Sequence, residues 1–300
     1  MVAIMKHDMK AILGEDFFKE EMRCDYLVSA RIKRIWAVLL DMYLTFAESC
    51  ERHGLKHFLI GGSLLGAIRH NGFIPWDDDL DVGMMREDYE EFIKVADKDF
   101  FNPLFLQTTY SDPDYYVSWV KIRNSTTTAV SLQTNHRRFN QGLFLDIFPI
   151  DYVDLNNVER DYQAIYTYAK RCGAYMREGS VRLNDRQKKD AITYHTDNPL
   201  REWEELQRVA SNPQYKGSAY VANAVFTGYG WKKMVHPTSG YAKVEKHRFE
   251  GIDVMIPSGY DELLRIQFGD YMVFPPAEQR GVRHADIIFD PDKPYTDYLE

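Results

Sequence analysis

Apolar positions at helical spacing dominate residues 28–53. Ile32, Ile35, Trp36, Leu39, Leu40, Met42, Tyr43, Phe46 and Ala47 fall on one wide stripe, which predicts a long helix buried along that stripe. Gly54 follows it as a C-cap glycine does. The run His57-Phe58-Leu59-Ile60 has strand composition and stops at Gly61-Gly62, after which residues 64–70 read as helix. From Asp79 the pattern switches to alternation: Asp79, Leu80, Asp81, Val82. Further on, residues 86–97 read as a helix, and residues 104–107 and 115–123 as strands. In the second strand Tyr116, Ser118, Val120 and Ile122 alternate against Trp119, Lys121 and Arg123. Residues 142–151 form a strand-like apolar run. Helical character returns over 156–177 and over 185–207, interrupted at Pro199, and residues 221–226 and 251–256 are strand candidates. Residues 1–25 are mixed, with a short helix expected near 15–23.

The stretch from Gly61 to Asp81 carries the chemistry. A strand that ends in two glycines and a serine lets backbone N–H groups approach a ligand, and Ser63 is placed to cap a helix whose N-terminus faces an anion. Residues two apart on a strand share a face, so Asp79 and Asp81 point the same way while Leu80 and Val82 enter a core. Paired carboxylates repel unless a divalent cation lies between them, and Mg²⁺ prefers such oxygens. A phosphate cradle beside a carboxylate pair suits metal-assisted transfer from a phosphorylated donor. Two other readings compete. In a calcium loop starting at Asp77, Val82 would stand where glycine is needed and Asp88 where glutamate is needed. In a solvated turn, Trp76, Leu80 and Val82 would be out of place.

Asp146 lies inside an apolar run, and a buried lone carboxylate is costly unless bonded, paired or metal-bound. It is either bonded to local backbone or a third acid beside Asp79 and Asp81. Asp151 follows a proline and reads as a turn start; it and Asp77 are the alternative third acids. Lys121 and Arg123 are either surface charges or phosphate ligands.

Gly61-Gly62-Ser63-Leu64-Leu65-Gly66-Ala67-Ile68-Arg69-His70-Asn71-Gly72-Phe73-Ile74-Pro75-Trp76-Asp77-Asp78-Asp79-Leu80-Asp81-Val82 closely resembles the signature of the LicD/fukutin family, in the nucleotidyltransferase-fold superfamily. Lys121-Ile122-Arg123-Asn124-Ser125-Thr126 and the run from Gly142 to Asp151 resemble later family segments. So do Phe249-Glu250-Gly251-Ile252, Tyr260 to Leu264, Phe268 to Met272 and Arg280 to His284, and the likeness runs from about Arg23 to His284. It implies an α/β fold: a nucleotidyltransferase-like mixed sheet flanked by helices, with a mainly helical C-terminal portion packed on it. It implies an enzyme that transfers a phospho-head group from a CDP-linked donor, typically CDP-choline, to a hydroxyl of a surface glycan such as teichoic acid or lipooligosaccharide. Relatives that use CDP-ribitol exist, and ethanolamine and glycerol donors stay open. The implied metal is Mg²⁺ or Mn²⁺, held by Asp79, Asp81 and Asp146. Implied donor contacts are Gly61, Gly62, Ser63, Arg69, Trp76, Trp119, Lys121, Arg123, Arg280 and His284. A choline head needs an aromatic cage, for which Trp76, Tyr116 and Trp119 are candidates, each also readable as core.

Composition narrows this further. Three hundred residues suffice for one large domain, divided here into an arm at 1–27, a catalytic core at 28–152 and a portion at 153–300 that completes the acceptor side. A net charge of −8 argues against a nucleic-acid partner. No apolar run reaches the roughly 20 residues of a membrane span, and no signal-peptide pattern is visible. Cys24, Cys50 and Cys172 are scattered and odd in number, which suits a reducing compartment. The expected location is cytoplasmic, touching the inner membrane face only through the acceptor. A nucleotidyltransferase proper and a non-catalytic glycan- or metal-binding protein are the competing classes; the intact acids count against the second.

Overall fold

The structure is a computed structural model that describes residues 3–96, 98–281, 284 and 286–300. The chain opens with a short helix, α1 (Met9–Leu13), and a 3-10 turn at Glu15–Phe18. The helix expected near 15–23 gives way to a hairpin of β1 (Glu21–Arg23) and β2 (Tyr26–Val28). Cys24 and Asp25 both have positive φ there, which is tight-turn geometry. Arg23 is ion-paired to Glu250, a long-range contact that local propensity cannot foresee.

The long helix α2 (Ala30–His53) matches its periodicity. Ser29 accepts the Ile32 N–H at 3.3 Å, and Gly54 closes the helix in the left-handed region at φ 67°. On its stripe Ile32 and Ala47 are half-buried, while Trp36, Leu39, Leu40, Tyr43 and Phe46 are fully buried. So is Asp41, which interrupts the stripe. Its carboxylate accepts the N–H groups of Lys6 (3.1 Å) and His7 (2.8 Å), so a buried charge ties the N-terminal arm to the core.

Then follow β3 (Phe58–Leu59), α3 (Gly61–His70), β4 (Asp81–Met85) and α4 (Arg86–Ala96). β5 (Leu104–Gln107), β6 (Val120–Asn124), β7 (Thr128–Ser131) and β8 (Leu143–Tyr152) come next. The C-terminal half supplies α5 (Val158–Arg177), α6 (Asp185–Thr193), α7 (Pro199–Ala210), β9 (Tyr220–Ala222), α8 (Trp231–Met234) and β10 (Val235–Pro237). It ends with β11 (Val244–Phe249), β12 (Ile252–Pro257), α9 (Tyr260–Phe268) and β13 (Ile287–Asp290).

β8 is the centre of a mixed sheet of seven strands among the described residues. It is buried along nearly its whole length, which explains its unbroken apolar run. β4 runs parallel along one edge, while β6 runs antiparallel along the other and β9 pairs with its last two residues. β3, β5 and β10 extend the sheet beyond β4, β6 and β9. This is the mixed α/β fold expected. β9 and β10 lie after residue 152, so the C-terminal portion enters the same sheet as the core. The tail from Asp286, in which no motif is legible, supplies β13, which pairs with β7. No helix of the described residues is long and apolar enough to cross a membrane.

Candidate active site

α3 begins three residues earlier than its composition suggests, at Gly61, with Ile60 as N-cap. Gly61 has φ +54°, which a side chain would strain, and a Cβ on Gly62 would come within 3.0 Å of an Asp77 carboxylate oxygen. Ser63 therefore does not cap the helix. Its buried hydroxyl accepts the Asp81 N–H at 2.8 Å and fixes the start of β4 against the first turn of α3. The strand expected from Asp79 starts at Asp81, because the residues before it belong to the turn that follows Trp76. Asp79 and Asp81 nonetheless open into one cavity of about 500 Å³.

Asp146 joins them from the neighbouring strand. It stands in register with Asp81 on one edge and Lys121 on the other. Lys121 forms an ion pair with it, and Trp119 donates its indole N–H to it at 2.9 Å. Lys121 is buried, and its ammonium lies 3.6 Å from the centroid of the Phe144 ring. Asp77 lines the same cavity. Asp78 is buried beside it and is bonded to His284 Nδ1 at 2.6 Å. One ligand atom each of Asp78, Asp79 and His284 lie within 4.8 Å of one another.

The electrostatics are unbalanced. Burial, then Asp81, then Asp77, Asp78 and Asp146 push the Asp79 carboxyl well above its usual range. Burial, then Asp146 and Asp77, push Asp81 up to about 8, with Lys121 and His284 opposing. Burial lowers Lys121, with Asp146 working against it. For His284 burial acts downward, but the hydrogen bond and charge of Asp78 outweigh it and raise the imidazole. An oxygen-rich donor set with more carboxylates than cations fits a hard divalent cation such as Mg²⁺ or Mn²⁺.

The other expected residues divide. Gly61, Gly62, Trp119, Lys121, Arg123 and His284 line the cavity. Arg123 is already committed: it donates to Gln107 Oε1 at 2.7 Å and to the Gly142 carbonyl at 2.8 Å, so it braces the wall. Arg69, Trp76 and Arg280 lie elsewhere. Eight residues along α3 carry Arg69 about 12 Å from Gly61, where it donates to the Tyr271 carbonyl at 2.8 Å. Trp76 turns into the core, its ring 5.9 Å from that of Tyr26. Arg280 stacks over Trp76 and donates to the Pro275 carbonyl at 2.8 Å. Tyr116 packs against Tyr175. Asp151 holds Arg86 through two bonds of 2.6 and 2.7 Å, on the opposite face of β8 from Asp146.

Sequence reasoning missed the aromatic wall. Phe226 and Tyr229 come from the loop between β9 and α8, and Phe226 lies 6.1 Å from Trp119 and 5.6 Å from Tyr229 between ring centroids. Phe226 closes the run 221–226 that reads as strand, but the strand ends at Ala222, and nothing local ties Phe226 to Trp119.

Residues 54–173 match the family model described as LicD/FKTN/FKRP, nucleotidyltransferase domain. Over 265 residues the chain is 29% identical to lipopolysaccharide cholinephosphotransferase LicD of Haemophilus influenzae, covering 84% of this chain and 95% of that one. It is 51% identical over 85 residues to the uncharacterized protein RP689 of Rickettsia prowazekii, covering 28% and 29%. A 38-residue stretch, 13% of this chain and 8% of the other, is 55% identical to human ribitol 5-phosphate transferase FKRP. The fold, the site and these similarities define a phosphotransferase enzyme. Residues 54–173 carry the nucleotidyltransferase domain described by the LicD/FKTN/FKRP family model, and the likeness to LicD extends over most of the chain.

Proposed function

We propose that this enzyme transfers phosphocholine from CDP-choline to a hydroxyl of a cell-surface glycan, such as a teichoic acid or lipooligosaccharide, on the cytoplasmic side of the membrane. The observation that carries this reading is the convergence of Asp79, Asp81 and Asp146 beside the Gly61-Gly62 helix start in one cavity with an aromatic wall. The choline assignment draws on the name of the Haemophilus influenzae relative.

Asp79, Asp81 and Asp146 would hold the Mg²⁺ or Mn²⁺ ion. When bound, the ion neutralises the donor diphosphate and draws electron density from the reacting phosphorus. The first N–H groups of α3 have no intrahelical partner and receive a phosphate oxygen, which the two glycines allow to come close. Lys121 contributes positive charge beside Asp146. Asp146 accepts the proton of the acceptor hydroxyl, whose oxygen attacks the phosphorus next to choline, and CMP leaves. Trp119, Phe226 and Tyr229 surround the trimethylammonium, which cannot donate hydrogen bonds and is attracted to ring faces.

The test supplies CDP-choline, CDP-ethanolamine, CDP-glycerol and CDP-ribitol in turn with a glycan acceptor, with and without Mg²⁺, and measures CMP release and labelled product. Metal-dependent CMP release greatest with CDP-choline is expected. Preference for a polyol donor, the direction of the FKRP similarity, would overturn the choline assignment. Product that retained the nucleoside monophosphate would make the enzyme a nucleotidyltransferase proper.

A further inference from the structure

Arg177 is the last residue of α5 and lines the cavity. Its Nε is buried without a hydrogen-bond partner, and among the described residues its guanidinium forms no ion pair. The head group lies back over Gly173, where a Cβ would sit 3.1 Å from Nη1, so the helix leaves room for it in this position. Burial lowers Arg177, and the charge of Asp190 opposes this. The side chain is half-buried, but its buried Nε–H without an acceptor is costly, and the cost is recovered when a ligand supplies one.

The surroundings indicate what kind of ligand. Gln133 and Thr134, bonded to Asp286 and Gln141, line the same cavity with neutral polar groups, and Phe139 and Met176 offer flat or polarisable apolar surface there. The neighbouring cation, Arg137, is already bonded to the carbonyls of Tyr175 and Met176. The carbonyl end of α5 carries partial negative charge, which disfavours a phosphate. One rigid fork of donors, neutral polar groups and an apolar floor match a heterocycle with adjacent acceptors on its edge.

We propose that Arg177 holds the pyrimidine base of the donor nucleotide, its guanidinium donating to O2 and N3 of cytosine. This rests on the CDP-donor reading above. It separates the cavity into a base end at Arg177 and a reacting end at Asp146.

The test measures binding of CMP, UMP and phosphocholine by calorimetry to wild type, Arg177→Met and Arg177→Lys, with circular dichroism confirming the fold. Arg177→Met should weaken CMP about 10- to 100-fold and leave phosphocholine unchanged, because phosphocholine has no base. Arg177→Lys keeps the charge but loses the fork, so it should recover only part of the CMP affinity. Unchanged CMP binding in Arg177→Met, or equal losses for CMP and phosphocholine, would overturn the assignment while leaving the donor reading standing. Wild type that bound no CMP would sink the donor reading itself, and the base assignment with it.

Discussion

Asp81 on β4 and Asp146 on β8 stand directly opposite each other on parallel strands. Lys121 faces Asp146 from the other edge of β8. Neighbouring strands lie about 4.8 Å apart, so this register forces two carboxylates together whatever the loops around them do. One ammonium cannot neutralise both together with Asp79.

The first prediction concerns this repulsion. The Asp81 carboxyl sits at about 8 in the folded state against an ordinary 3.8. Between those values the folded state holds more protons, so this group lowers stability as pH rises from about 4 to 8. Asp81→Asn should therefore melt about 3–10 °C above wild type at pH 8 in chelator, with the gap closing toward pH 4. Mg²⁺ should raise the melting temperature of wild type and not of the variant, which should also lose transfer. Superimposable melting curves across this pH range, with an equal Mg²⁺ response, would remove Asp81 from the metal site.

A second prediction separates proton transfer from head-group binding. Asp146→Asn should lower kcat by about 10²–10⁴ with little change in donor affinity once Mg²⁺ is saturating. Trp119→Ala should do the reverse and weaken CDP-choline about 30-fold, since contact of a desolvated quaternary ammonium with one good ring is worth about 2 kcal/mol. Phe226→Ala should resemble Trp119→Ala. If all three variants changed kcat and affinity in the same proportion, the two roles would not be divided between these walls.

A third prediction concerns Ser63. Its hydroxyl is the buried acceptor for the Asp81 N–H. Ser63→Ala leaves that donor unpaired and should cost about 1–3 kcal/mol, read as a lower urea midpoint at constant slope. A shift below 0.5 kcal/mol would mean the bond does not hold β4 to α3.

The fourth concerns acid stability. His57 is buried against Phe46, bonded to the Tyr43 hydroxyl at 3.2 Å, and burial lowers it to about 4 from 6.5. The unfolded chain takes up this proton first, so the stability contributed is complete above pH 6.5 and is lost as pH falls toward 4. His57→Gln should lose about 2–3 kcal/mol less than wild type across that interval. The comparison is made in denaturant titrations at pH 7, 5.5 and 4. Parallel losses in the two proteins would show that His57 is not a protonation point.

Much of the scaffold could be read locally. α2 follows from the stripe of Ile35, Trp36, Leu39, Tyr43 and Phe46, and its end follows from Gly54, because helix periodicity and left-handed caps are properties of adjacent residues. β8 follows from its apolar run, and Asp146 stands out in it because a carboxylate there demands a reason. The Gly-Gly-Ser segment reads as the approach to a helix from residue 64, whereas the helix takes in all three residues, and the work of Ser63 is not legible. That depends on where Asp81 lies in space, 18 residues further on.

What the sequence alone determined is the periodicity of each element and the kinds of chemistry present: an acid-rich turn, a glycine pair and a lone buried aspartate. Tertiary structure decided which of these meet. Strand register put Asp81, Asp146 and Lys121 in one row. The length of α3 carried Arg69 away from the acids, and core packing drew in Trp76. Chain crossings brought Phe226 to Trp119 and His284 to Asp78. Such pairings depend on sheet order and on burial shared between distant segments, and a pattern confined to neighbouring residues encodes neither.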